Sequence, residues 1–157
     1  MMTAEEIIQK LNLKPHPEGG YYRETYRASD SIGDYQLGTA IYFLITDDNV
    51  SHFHRIQQDE LWFHHYGATL DIHLLKDEKH EILPLGLIEK SAEPYQIVPK
   101  NIIFGSCLKE NESGFALVSC VVIPGFEFKD FELFSYAQLS LDFPNCREII
   151  RKLTPKE

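Results

Sequence analysis

At 157 residues, with 43% hydrophobic and 25% charged residues, the chain has the make-up of one soluble globular domain, long enough to bury a sizeable core. A formal charge of −9 argues against a general nucleic-acid or anionic-membrane surface, while leaving room for a local basic pocket that holds one phosphate. No apolar run approaches the roughly 20 residues that span a bilayer, and the N-terminus lacks a basic-then-apolar leader, so a cytoplasmic protein is expected.

Thr3 and Glu6 have capping-box spacing ahead of Ile7, Ile8 and Leu11, which predicts a short amphipathic helix over about 3–12. Pro15 and Pro17 are expected to end it, and Gly19-Gly20 frees the backbone before the next element. Tyr21 to Arg27 alternates as a strand, Ser29 to Asp34 reads as a polar turn, and Leu37 to Ile45 is a second strand. Asp47-Asp48-Asn49 then breaks the chain before a strand that carries histidines.

Further strands are predicted at Glu60–Tyr66, Leu70–Leu75, His80–Leu85, Tyr95–Val98, Ile102–Leu108 and Phe115–Ile123. Many short strands with little helix between them indicate an antiparallel barrel or sandwich, running over about 20–142. Helical spacing returns at Cys146, Ile149, Ile150 and Leu153, which predicts a closing helix over about 144–153. No linker or repeat divides 1–157, so a single domain is expected. Cys107, Cys120 and Cys146 are odd in number and lack C-x-x-C spacing, which favours free thiols over a disulfide framework or a thiolate zinc site.

The chemistry concentrates in Ser51-His52-Phe53-His54-Arg55. Strand alternation would put His52 and His54 on one face, and the following Ile56 to Asp59 is long enough to turn Glu60 back beside His54. His-x-His, a returning carboxylate and Gly67 seven residues later resemble the first motif of the cupins, which are small β-barrels. The resemblance sharpens over four stretches: Leu13 to Tyr26 with its His16-Pro17-Glu18-Gly19-Gly20 centre; Phe53-His54-Arg55 with Asp59 to Trp62; Val98-Pro99; and Cys120 to Leu133. Together they look like the signatures of the DUF985 cupins, similar in fold to the RmlC-type sugar epimerases.

The resemblance implies an all-β fold, a double-stranded β-helix or cupin jelly roll, with a small-molecule pocket and a homodimeric assembly. The negative charge and the lack of a long apolar run predict no nucleic-acid polymer and no membrane partner. A metal-binding cupin would supply a further histidine in a second motif, Pro-x-Gly-x-x-His. Here Pro99 to Phe104 occupies that place, with Asn101 for the glycine and Phe104 for the histidine. The remaining ligand set for a divalent metal is His52, His54 and Glu60.

An RmlC-like epimerase would instead use a histidine base, a carboxylate and a tyrosine acid, and His54 with Glu60 fits the first two roles. Tyr21, Tyr22, Tyr26, Tyr42 and Tyr66 leave the acid undecided. Glu18 and Arg23 are candidates for ligand hydroxyls and a phosphate or carboxylate, against an ion pair that fastens the first strand. Trp62 and Phe104 are candidates for an apolar or stacking wall, against plain core packing. Phe126, Phe128 and Phe131 are read as core or dimer contacts. The expected function is small-molecule binding with isomerase or epimerase-like chemistry on a sugar phosphate or nucleotide sugar, without obligatory metal. The alternatives are a non-catalytic ligand-binding cupin and a metal-dependent one using His52, His54 and Glu60.

Overall fold

The computed structural model describes residues 1–156. Helix α1 (Ala4–Leu11) opens with the capping box intact: Thr3 Oγ1 accepts from the Glu6 N–H, and the Glu6 carboxylate accepts from the Thr3 N–H. Asn12, in the left-handed region at φ 54, ends it. The prolines therefore come too late to terminate the helix, and Pro15 belongs instead to a short strand, β1 (Lys14–Pro15).

The strands continue as β2 (Tyr21–Arg27), a small hairpin β3 (Ser31–Ile32) and β4 (Tyr35–Gln36), β5 (Thr39–Thr46), β6 (Ser51–Arg55), β7 (Asp59–Gly67) and β8 (Leu70–Lys76). Then follow β9 (Lys79–Leu85), β10 (Tyr95–Val98), β11 (Ile103–Leu108), β12 (Phe115–Ile123) and β13 (Glu132–Leu133). Asp77 and Glu78, both at positive φ, form the two-residue turn between β8 and β9, a geometry whose twist matches the flanking strands.

A six-stranded sheet in the order β1-β2-β5-β12-β7-β10 faces a five-stranded sheet in the order β13-β6-β11-β8-β9. Every pairing within them is antiparallel, and the two make a jelly-roll barrel. Phe43, Trp62, Ile72, Phe104 and Val118 fill the space between the sheets. On the outer face of the five-stranded sheet, Phe53 and Leu75 pack with Leu139, Ile150 and Leu153 from the C-terminal helices. Phe53 is fully buried there, and its truncation to alanine would cost roughly 3–5 kcal/mol.

The C-terminal end differs from expectation. The last strand finishes at Leu133, and helix α2 (Tyr136–Asp142) follows, where barrel was predicted to 142. Ser135 and Gln138 cap it reciprocally and Leu139 is its buried residue. A 3-10 turn at Pro144–Cys146 then leads into helix α3 (Arg147–Lys152).

Candidate functional site

A cavity of about 480 Å³ opens between the sheets, with His54, Glu60 and Glu18 on its wall. Each arrives by a different route. His54 comes from β6, whose pairing with β11 shifts register: Phe104 faces His54, but Ser106 faces Ser51. One extra residue on β6 breaks the alternation, so His52 does not share the inward face of His54 and lies outside the cavity wall.

Glu18 sits in the turn joining β1 to β2, closed by His16 N–H to Gly20 O at 2.9 Å and Gly19 N–H to His16 O at 2.9 Å. The Glu18 carbonyl accepts from the His52 N–H at 2.6 Å, which ties this turn to β6. Gly19 makes the approach feasible: its φ is +103, and a Cβ there would sit 1.9 Å from the Val50 carbonyl oxygen.

His54 Nε2 lies 2.6 Å from Glu18 Oε2, and His54 Nδ1 lies 2.7 Å from the His52 carbonyl. A carbonyl can only accept, so Nδ1 carries a hydrogen, and an ionised Glu18 requires one on Nε2 as well. The pair is thus imidazolium and carboxylate. Burial alone would lower the His54 pKa, but the Glu18 charge and hydrogen bond outweigh it and raise it. Burial would likewise raise Glu18, but His54 and then His16 pull it below the ordinary carboxylate value. His16 contributes from behind, with Nδ1 accepting the Glu18 N–H at 3.0 Å.

Glu60 lines the same cavity as His54, as expected, but Glu18 and not Glu60 is the carboxylate that bonds to the imidazole; Glu60 Oε2 accepts from Trp62 Nε1–H at 2.9 Å. Burial, followed by repulsion from Glu18, pushes its pKa up to about 7, against the opposing pull of His54 and Trp62. Trp62 and Phe104 are each 1% exposed and stand behind the wall rather than on it. Trp62 holds Glu60, and the Phe104 ring packs 4.2 Å from the His54 ring, centroid to centroid.

The wall that a ligand would touch comes instead from Phe126, Phe128 and Phe131, which are not core here. They follow β12 in a segment where Phe126 and Phe128 meet edge to face at 4.8 Å and Phe131 lies 5.3 Å from the His54 ring. Arg23 is also on the wall, with Nη1 donating to the Leu11 carbonyl at 2.6 Å. Lys14 joins it, and among the described residues neither forms an ion pair within 4 Å. Of the five tyrosines considered from sequence, Tyr22 alone lines the cavity. His16 and the phenylalanines were missed as site residues, although both lie inside the motifs that carried the family resemblance.

The divalent-metal set fails the fit. His52 is outside the cavity, both His54 nitrogens are engaged by protein oxygens, and Phe104 offers no lone pair where a further ligand would stand. Among the described residues, no three histidine, cysteine or acidic side chains gather as a metal site.

A jelly-roll barrel with a polar cluster at the mouth defines the protein as a cupin. The chain belongs to the DUF985 family of the cupin superfamily, whose model matches residues 5–134. It is similar to a structurally determined protein from Shewanella oneidensis at 41% identity, with full coverage of both chains and a TM-score of 0.94. A hypothetical protein from Leishmania major is 35% identical, covering 99% of this chain and 100% of that one, with a TM-score of 0.92. An uncharacterized protein of Saccharomyces cerevisiae is 29% identical over 148 residues, 82% of this chain and 73% of its own length. Oxalate decarboxylase from Bacillus subtilis shares the fold alone, with 15% identity and a TM-score of 0.58 over 91% of this chain and 37% of that one. No helix among the described residues is long and apolar enough to cross a membrane.

Proposed function

We propose that this cupin binds a sugar phosphate or nucleotide sugar and moves a proton on it, as an isomerase or epimerase would, without an obligatory metal. The observation that carries this reading is one cavity wall holding two buried groups of opposite charge type: the Glu60 carboxyl, pushed up to about 7 by burial and the Glu18 charge, and the His54 imidazolium bonded to Glu18. Removing a proton beside a carbonyl needs a base tuned near the working pH and a positive group near the developing oxyanion.

Glu60 supplies the base, since Trp62 occupies one carboxylate oxygen and the other is left for substrate. His54 supplies the charge, fixed by Glu18. Tyr22 is the candidate for the second proton transfer. Lys14 and Arg23 suit a phosphate group, and the phenylalanine wall suits the face of a sugar or base.

A second reading, a binding module without turnover, draws support from the engagement of both His54 nitrogens by the protein's own acceptors. Incubation with a panel of sugar phosphates and nucleotide sugars in D2O separates the two. Catalysis predicts deuterium entering the substrate carbon next to the carbonyl, lost by at least about a hundredfold in Glu60→Gln with binding retained. Binding without any exchange in the unmodified protein leaves the module; an unchanged melting temperature across the panel removes the ligand class altogether.

A further inference from the structure

A second cavity, of about 990 Å³, lies on the other side of the five-stranded sheet, between its outer face and helix α3. Its wall carries a connected chain of reactive side chains that the first site does not use. Cys107 Sγ on β11 is 3.5 Å from His73 Nε2 on β8, and His73 Nδ1 is 2.8 Å from His80 Nε2 on β9. The two imidazoles stack, 5.0 Å between centroids with 14° between planes. Register explains the arrangement: His73 pairs with Gly105 and Ile82, while Cys107 pairs with Asp71 and His80 with Leu75, so the three side chains are diagonal neighbours on the outward face.

The order is nucleophile, base, orienting group. If His73 donates Nδ1–H to His80, its Nε2 is bare and aimed at the thiol. Burial, His80 and Lys152 push the His73 pKa down to about 4, so the imidazole is neutral at pH 7 and its Nε2 lone pair faces the thiol hydrogen. Burial also raises the Cys107 thiol, so no standing thiolate is present and the proton must leave as the sulfur reacts. Lys152 stands beside both groups, and its charge acts on the thiol and on His73 alike. Arg147 and Arg151 line the same cavity, as do Asp71, Glu110 and Glu148. Among the described residues none of these forms an ion pair within 4 Å.

We propose that Cys107, His73 and His80 form a second reactive site, at which the Cys107 thiol attacks a small carbon electrophile bearing a carboxylate, with Lys152 drawing the carboxylate in. In the step, sulfur forms a bond to carbon, the bond from that carbon to its leaving group breaks, and the leaving group departs with the electron pair. The thiol proton passes to His73 Nε2. His80 is a positioning residue that holds the His73 tautomer.

Iodoacetate is the probe, iodide its leaving group, and iodoacetamide its uncharged counterpart. Alkylation of the folded protein at pH 7, mapped by peptide mass, is expected at Cys107, with an iodoacetate-to-iodoacetamide rate ratio several-fold above that of glutathione. Cys146, which lines the same cavity without a histidine partner in the hydrogen-bond chain, is the internal reference. His73→Gln should slow Cys107 by at least about tenfold and leave Cys146 unchanged. His80 is exposed, so His80→Ala keeps the fold; it should also slow Cys107, and His80→Gln, which restores an acceptor, should recover the rate. The site is overturned if Cys107 stays unmodified until the protein unfolds, if its ratio equals that of glutathione, or if its rate ignores the His80 variants.

Discussion

His54 on the inner face of the five-stranded sheet and His73 on its outer face are 3% and 6% exposed, and each engages both ring nitrogens. They sit on neighbouring ladders, since Phe104 pairs with His54 on one side and Leu74 on the other. Yet one is driven to hold its proton and the other to lose it. Burial acts on both in the same direction, so the partner decides: a carboxylate for His54, a second imidazole and an ammonium for His73. The inner cavity is therefore built around a retained charge, and the outer one around a neutral base.

The strongest way to break that contrast is Glu18→Ala. Removing one partner of a buried pair typically costs about 3–5 kcal/mol, and the lower end is expected because His54 can shed its proton. The sign with pH is fixed by the shifts. The raised His54 pKa stabilises the fold fully below its unfolded value near 6.5, and that contribution fades as pH rises through the folded value. The lowered Glu18 pKa stabilises above about 4.5 and fades as pH falls through its own folded value. Denaturant unfolding should thus show the largest loss between about pH 4.5 and 6.5. NMR titration should show both His54 and Glu60 falling, because Glu18 holds each of them up.

Glu60→Gln sharpens the comparison from within the same cavity. A carboxyl raised to about 7 stabilises nothing when ionised: its stability is intact below about 4.5 and is lost as pH rises through 7. Glutamine keeps the acceptor for Trp62 Nε1 and cannot ionise. The variant should match the parent at pH 4 and exceed it by about 3 kcal/mol at pH 8, in unfolding experiments at both values.

The outer cavity should respond at the opposite end of the scale. A histidine lowered to about 4 gives stability that is present above 6.5 and lost as pH falls. Between pH 7 and pH 5 the His73 share of that loss is about 2 kcal/mol, and His73→Gln should flatten it. Glu60 gains stability over the same interval, so the test is the difference between the two proteins: a His73→Gln variant whose stability changes from pH 7 to pH 5 as the parent's does would show that His73 is not held neutral.

The barrel was legible in the sequence because its strands alternate and its turns are marked: Tyr21–Arg27, Tyr95–Val98 and Phe115–Ile123 have the boundaries the pattern predicts. Helix α2 was less so: Ser135 and Gln138 have the same capping-box spacing as Thr3 and Glu6, but seven residues with Leu139 alone buried are too few for a helical period, which needs a window of roughly 11 residues or more. At the site, period-two reasoning placed His54 but misplaced His52, because a bulge leaves no mark in composition. Glu18 stands out in its motif, but its partner lies 36 residues away, and nothing local says that His54 takes Glu18 rather than Glu60. The His73-His80-Cys107 chain was invisible for the same reason: three unremarkable strand positions meet only through register.

The smallest effect is expected one residue from the largest. Arg55 follows His54 on β6 and pairs with Glu132 of β13 through two contacts of 3.2 Å, bidentate but with both side chains well exposed. Solvent screens such a pair, and holding two mobile side chains opposes the Coulomb gain, so Glu132→Ala should cost less than about 1 kcal/mol and less still at high salt. Arg55 would also keep its place over the Phe134 ring, 5.3 Å from its centroid. The measurement is urea unfolding of the two single variants side by side. If Glu132→Ala costs as much as Glu18→Ala, burial is not what separates neighbouring ion pairs on this strand, and the account of His54 as a charge kept by a buried carboxylate loses its basis.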